Sequence, residues 1–354
     1  MPRTDTVHFY EAFLRLSWLR WQLKVQEQRL RKEMPALLGN IAPGWAEHLS
    51  TNDLYRITKY WQLALNLICG GLYRLRGLPL TEAEQQRIML LSIFGPLYDD
   101  LFDEKILCYE QIEALTKSPE GYIPHNAKDE LLKKIYLRLL DVAPYPEEMK
   151  GHLFRVFIWQ KASMKQLDPH IGEEELYEIT YNKCYHSILL FCAVLDHPLT
   201  AEMQKMLYPM AGLLQLTNDA FDVYKDMQSD IYTLPNLYPD YKRLLHHFMN
   251  EVALFNERLM NLPFPGREKK IYSITVHALN GMGHMSLEQL SIAGRYVSNA
   301  AGLKALSRKE LVCDMDTFGQ KIRWVKRVCA LAGHRSVSDK HYYVPSQAVS
   351  QPLC

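Results

Sequence analysis

Apolar residues recur along this chain every three to four positions, the period of an α-helix with one buried face. Between residues 10 and 33, Phe13, Leu16, Leu19, Leu23 and Leu30 are separated by Arg, Lys and Gln. Residues 53–76 repeat the pattern with Leu54, Ile57, Trp61, Leu65, Ile68 and Leu72. The same period predicts helices over about 82–108, 127–142, 145–166, 173–195, 199–229, 239–262, 268–297 and 307–332. Gly and Pro punctuate them at Pro43-Gly44, Gly77-Leu78-Pro79, Pro119-Glu120-Gly121, Pro144-Tyr145-Pro146, Pro198, Pro235 and Pro263 to Gly266. No run of β-branched residues with period two is long enough to anchor a sheet. Most connections are short, as between neighbours in a bundle. The pattern predicts an all-α, single-domain helical bundle of about ten helices over 1–334. Residues 335–354 read as a tail, either disordered or folded over a site as a lid.

Composition narrows the class without naming a chemistry. The chain has 354 residues, 48% hydrophobic and 23% charged, ordinary values for a globular protein. Its 41 basic and 40 acidic residues leave a net charge of +1, without the basic excess of a nucleic-acid wrapper. Seven cysteines, an odd number with no CxxC pair, argue against a disulfide framework or a zinc ribbon. Reduced thiols in a cytoplasmic protein are the expectation. Apolar runs are interrupted by charges before they reach spanning length, and the N-terminus has no signal-peptide pattern.

Two acidic clusters fall on predicted helices. The first is Asp99-Asp100-Leu101-Phe102-Asp103-Glu104, after Phe94-Gly95-Pro96-Leu97-Tyr98. Positions four apart share a helical face about 6 Å apart along the axis, so Asp99 stacks on Asp103 and Asp100 on Glu104. Like charges at that spacing repel, and the surrounding residues are apolar. A hard cation such as Mg²⁺ bound by Asp99, Asp100 and Asp103 would neutralise them. The alternative is an acid-rich first helical turn after Pro96, which the macrodipole favours. The second cluster is Asn218-Asp219-Ala220-Phe221-Asp222-Val223-Tyr224-Lys225-Asp226, where Asn218, Asp222 and Asp226 form a row of oxygen ligands beside an apolar run. Polar groups in such a run are costly unless satisfied. The two rows suggest opposed rims of one apolar cavity closed by a metal–diphosphate cap.

These motifs resemble those of the class I isoprenoid synthases. Asp99 to Asp103 reads DDLFD and is similar to that superfamily's aspartate-rich DDxxD metal motif. Asn218 to Asp226 resembles the Asn-Ser-Glu metal triad of class I terpene cyclases, with Asp222 at the Ser position and Asp226 at the Glu position. The paired DxxxD motifs, Asp99 to Asp103 and Asp222 to Asp226, also resemble squalene and phytoene synthases. The segment Ile231-Tyr232-Thr233-Leu234-Pro235 is similar to one that follows their second motif, although Asp230 stands where their Arg is usual. Arg295-Tyr296 resembles the diphosphate-binding Arg-Tyr pair of many cyclases. Tyr177 to Tyr185 resembles the prenyltransferase helix that carries a diphosphate-facing Lys, here Lys183, with Cys184 replacing the common Thr.

The resemblance implies a Mg²⁺-dependent terpene cyclase that acts on a linear prenyl diphosphate such as farnesyl or geranylgeranyl diphosphate. It implies catalytic roles for Asp99, Asp103, Arg295 and Tyr296, and metal binding by Asp99, Asp100, Asp103, Asn218, Asp222 and Asp226. Three Mg²⁺ ions would accompany the diphosphate. Lys183, Lys225, Arg295 and Tyr296 would meet the diphosphate, while Phe94, Phe102, Phe191 and Phe221 would line the cavity and stabilise cations through their ring faces. Head-to-head coupling of two prenyl diphosphates is the alternative, and a non-catalytic helical interaction protein is a third. Nucleic acid and a spanning membrane segment are not expected; a homodimer is left open.

Overall fold

The computed structural model describes residues 7–105, 107–238, 240–295, 297 and 300–335. It is all-helical, with 79% helix and no strand among the described residues. In chain order the helices are α1 (Phe9–Ile41), α2 (Thr51–Leu63), α3 (Cys69–Leu75), α4 (Glu82–Asp103), α5 (Tyr109–Lys117), α6 (Ala127–Val142), α7 (Pro146–Ser163) and α8 (Glu173–Cys192). There follow α9 (Ala201–Gln228), α10 (Leu234–Leu237), α11 (Tyr241–Asn261), α12 (Gly266–Ala293), α13 (Ala300–Lys304), α14 (Arg308–Leu311) and α15 (Phe318–Gly333). A π-helical turn, Ala64–Ile68, makes α2 and α3 continuous.

The described residues hold fifteen α-helices where the periodicity predicts about ten. The predicted helix over 53–76 holds both α2 and α3, the nine-residue α5 falls between predicted helices, and α10, α13 and α14 have four or five residues, too few to display a helical period. The longer starts obey local capping chemistry. Ser50, Thr81 and Asn126 each close a reciprocal capping box, with Asp53, Glu84 and Asp129 respectively. Each such cap is worth about 1 kcal/mol.

The chain forms two compact units, one of Met1–Ser17, Ala162–Tyr185 and Thr200–Cys354, the other of Trp18–Lys161 and His186–Leu199. In the first, α9, α11 and α12 pack on one another and α15 packs on α12. Their buried side chains include Leu213, Leu216, Phe248, Phe255, Val276, Leu287 and Val328. Burial of such a side chain contributes about 1.5–3 kcal/mol. Gly212 lets α8 approach α9: a Cβ there would stand 2.3 Å from the Tyr181 ring.

In the second unit α4 packs between α2 and α6. Trp61, Phe94, Tyr98, Leu132 and Tyr136 are fully buried there. The Phe94 ring lies 5.2 Å from Tyr98 and 5.3 Å from Tyr136, centroid to centroid. Pro96 is inside α4 and does not begin it, so the helix runs on through the first acidic cluster. Among the described residues no helix is long and apolar enough to cross a membrane. The expected tail lies outside the described residues except for Arg335.

Candidate functional site

The first acidic cluster occupies the last turn of α4, which ends at Asp103. That overturns the reading of an acid-rich first turn. The C-terminal end of a helix carries partial negative charge, so carboxylates there lose about 0.3–1 kcal/mol each where a cation would gain it. The three aspartates are not equivalent. Asp99 is half-buried and accepts two donors, the Tyr60 hydroxyl at 2.6 Å on Oδ2 and the Gln160 side-chain amide on Oδ1. Both donors hold the carboxylate in one orientation. Asp103 is exposed at the helix end.

Asp100, buried at 2% exposure, has both oxygens engaged by cations of its own unit. Arg56 binds Oδ1, and Lys128 binds Oδ2 at 2.8 Å. Arg56 also donates to the Pro96 carbonyl at 2.8 Å. This cluster ties α2 and α6 to the end of α4, so the geometry gives Asp100 a structural ion pair where the sequence pattern groups it with the metal ligands.

The second cluster occupies the last three turns of α9, again at a negative helix end. Asn218 is exposed and Asp222 half-buried, and the Asn218 amide reaches Asp222 Oδ2 at 3.4 Å. Asp226 is buried. Burial, reinforced by the charges of Asp219 and Asp222, pushes its carboxyl up to about 7. Asp219, absent from the ligand row inferred from sequence, belongs to this stripe. It is 4% exposed, accepts from the Gln215 side chain at 2.8 Å on Oδ1, and has no hydrogen-bond partner on Oδ2 among the described residues. Burial pushes its carboxyl up to about 7 as well.

Three cations act on this row. Lys183, half-buried on α8, favours the charged forms of Asp219 and Asp226. Lys225, exposed on α9 itself, favours that of Asp226. Arg308 on α14, which sequence reasoning did not single out, interacts with Asp222. These groups bring negative ligands and positive side chains to one helix end, an arrangement suited to a metal-bound anion. Among the described residues, no three His, Cys, Asp or Glu side chains are arranged to hold a metal ion by themselves. Mg²⁺ on a phosphate substrate commonly takes one or two protein carboxylates and completes its shell with phosphate oxygens and water.

The remaining predicted positions are dispersed. Phe94 and Phe102 are buried in aromatic packing, Phe102 with its ring 5.9 Å from that of Phe157. Phe191 is buried and its carbonyl accepts from the Cys69 thiol at 3.3 Å. Phe221 is half-buried beside the α9 row. Arg295 is exposed just beyond the C-cap of α12, and Tyr296 lies outside the described residues. No protein-family model, curated protein or solved structure matches this chain.

Proposed function

We propose that this protein is a Mg²⁺-dependent enzyme that ionises a linear prenyl diphosphate, such as farnesyl or geranylgeranyl diphosphate, and cyclises the cation with release of diphosphate. The carboxylate row at the end of α9 carries the reading. Asp219 and Asp226 are buried beside Asp222 with their carboxyls pushed to about 7, and Lys183 stands within their field. Such a row is expensive for a helix end unless a cation joins it.

Bound Mg²⁺ supplies the Lewis acidity that turns diphosphate into a leaving group. Asn218, Asp222 and Asp226 would offer it oxygen ligands. Within the other unit, Asp99, oriented by Tyr60 and Gln160, and Asp103 are a separate set of oxygen donors. Lys183 and Lys225 hold the diphosphate by charge. The allylic carbon–oxygen bond breaks with its electron pair on the diphosphate, an alkene of the same chain attacks the cation, and loss of a proton or capture of water ends the reaction.

A second reading, head-to-head coupling of two prenyl diphosphates, is favoured by the exposure of Arg295, one of the features that distinguish cyclases in sequence. One assay separates the two. Purified protein is given geranyl, farnesyl or geranylgeranyl diphosphate with Mg²⁺, and the extract is analysed by mass spectrometry. Cyclisation yields products with the carbon count of one substrate, and chelation by EDTA abolishes them. Products with twice that count establish coupling. Turnover that survives EDTA, or no product from any substrate, overturns both.

A further inference from the structure

The long first helix presents a surface that the proposed chemistry does not use. Its inner face is buried through Ala12, Leu16, Leu30, Met34 and Leu38. Phe13, which the periodicity places among the core positions, is instead turned outward with Phe9, Tyr10, Leu14, Trp21 and Val25. These are six of the fourteen exposed large hydrophobic residues among the described residues, gathered within seventeen positions of one helix. Tyr10 is 69% and Trp21 57% exposed, and the Phe9 and Phe13 rings stack at 6.4 Å. Scattered exposed apolar side chains need no explanation, but a continuous stripe about 24 Å long does.

Basic residues are interleaved with the stripe and follow it, beside the uncharged Ser17 and Gln28; of the basic residues, Arg31 pairs with Glu27 at 2.8 Å. Arg20, Lys24, Arg31 and Lys32 are exposed on the same face. Arg20 and Lys24 have no ion-pair partner among the described residues, whereas the acidic Glu11 at the start of the helix pairs with Lys270 at 2.7 Å. We propose that this face of α1 seats the protein on an anionic lipid surface. Aromatic rings and Leu14 would enter the boundary between headgroups and acyl chains while the basic side chains extend to lipid phosphates. The interleaving of rings and basic residues fits that partner. A protein-binding patch gathers its apolar residues at the centre and its charges at the rim. A second copy of this face would bring Arg20, Lys24 and Lys32, unpaired among the described residues, against the same three. The inference rests on α1 alone and is independent of the enzymatic reading.

Co-sedimentation of the full chain with phosphatidylcholine vesicles, with and without phosphatidylglycerol, tests it. Binding should require phosphatidylglycerol and weaken as salt rises. Arg20→Gln and Lys24→Gln should each weaken it about fivefold. The double variant Phe13→Ser with Trp21→Ser should lose it while melting at the wild-type temperature, since both side chains are exposed. Failure of the wild type to pellet with anionic vesicles overturns the proposal, as does equal pelleting of the double variant. A dimer in sedimentation velocity that Trp21→Ser dissociates, without lipid binding, would assign the face to a second copy and refute a lipid role.

Discussion

Tyr60 on α2 donates its hydroxyl to Asp99 Oδ2 on α4 at 2.6 Å, and Gly95, one turn before Asp99, makes room for the ring. A Cβ at Gly95 would stand 2.9 Å from the Tyr60 ring. The glycine therefore sets the position of the donor, and the donor sets the direction of the carboxylate. Ligating carboxylates held in this way by outer hydrogen bonds keep their orientation when the metal arrives.

Tyr60→Phe should accordingly lower kcat about tenfold or more while costing no more than about 0.5–1.5 kcal/mol of stability, the net worth of one hydrogen bond. Gly95→Ala should lower kcat further, because it displaces the whole ring. Raised Mg²⁺ should partly rescue Tyr60→Phe. Steady-state kinetics across a Mg²⁺ titration, beside thermal melts, check this. Wild-type kinetics in both variants would remove Asp99 from the metal site.

Asp100 predicts the opposite pairing of effects. Asp100→Asn leaves Arg56 and Lys128 without their shared carboxylate. Loss of one partner from a buried ion pair costs about 3–5 kcal/mol, and the partial exposure of both cations places the expected loss near about 3 kcal/mol. Urea unfolding should show the loss. An Asp100→Asn variant of wild-type stability but without activity would return Asp100 to the metal ligands.

The contrast between Asp99 and Asp100 shows where sequence is sufficient. The helices around both clusters are legible because apolar residues keep a helical period for many turns. The oxygen row Asn218, Asp222 and Asp226 is legible because its spacing of four survives on one helix. The partners are not. Arg56 and Lys128 are remote from Asp100 in the chain, and only the packing of α2, α4 and α6 brings them to it. Tyr60 and Gln160 meet Asp99 for the same reason. Pro96 suggests a helix start because an interior proline is unfavourable, yet α4 accommodates it. Asp219 carried a usable signal: Gln215, Asp219, Asp222 and Asp226 are spaced four, three and four, which is one continuous helical stripe.

Three buried carboxyls should each withdraw stability as pH rises toward neutrality, while the buried imidazoles of His186, His277 and His284, held below their ordinary value by burial, act in the opposite direction. Burial pushes the Glu251 carboxyl from its ordinary 4.5 up to about 7, against the opposing hydrogen bond from Tyr181 and the charge of Arg258. Tyr181 in turn shares a 2.7 Å hydrogen bond with His247. Asp219 and Asp226 are raised to about 7 from 3.8. With folded values above unfolded ones, the folded state keeps protons that the unfolded state releases. The contribution of these carboxyls to stability is therefore full below the unfolded values, is lost through the window up to about 7, and is level above it. Glu251→Gln should raise the melting temperature of the metal-free protein at neutral pH and flatten part of the slope. Mg²⁺ with inorganic diphosphate should remove the part that comes from Asp219 and Asp226. A Glu251→Gln variant whose melting temperature follows the wild-type pH dependence would contradict the assignment.

Arg295 decides between the two chemistries. It stands exposed beyond α12, where a planar guanidinium could meet a diphosphate oxygen pair that a compact ammonium would match less well. In a cyclase, where Arg295 binds the leaving group, Arg295→Ala removes a charge-assisted hydrogen bond of about 1.5–3 kcal/mol, or about ten- to a hundredfold in kcat/KM. Arg295→Lys should recover only part of it. Tyr296→Phe removes one neutral donor and should be milder, at about 0.5–1.5 kcal/mol. Arg295 is already in solvent, so neither change at Arg295 should move the melting temperature, and the kinetic loss is then a loss of substrate contact and not of fold. Unchanged kinetics in Arg295→Ala would withdraw the residue from the diphosphate and, with it, one of the two features that favour cyclisation over coupling, leaving the Asn218 triad.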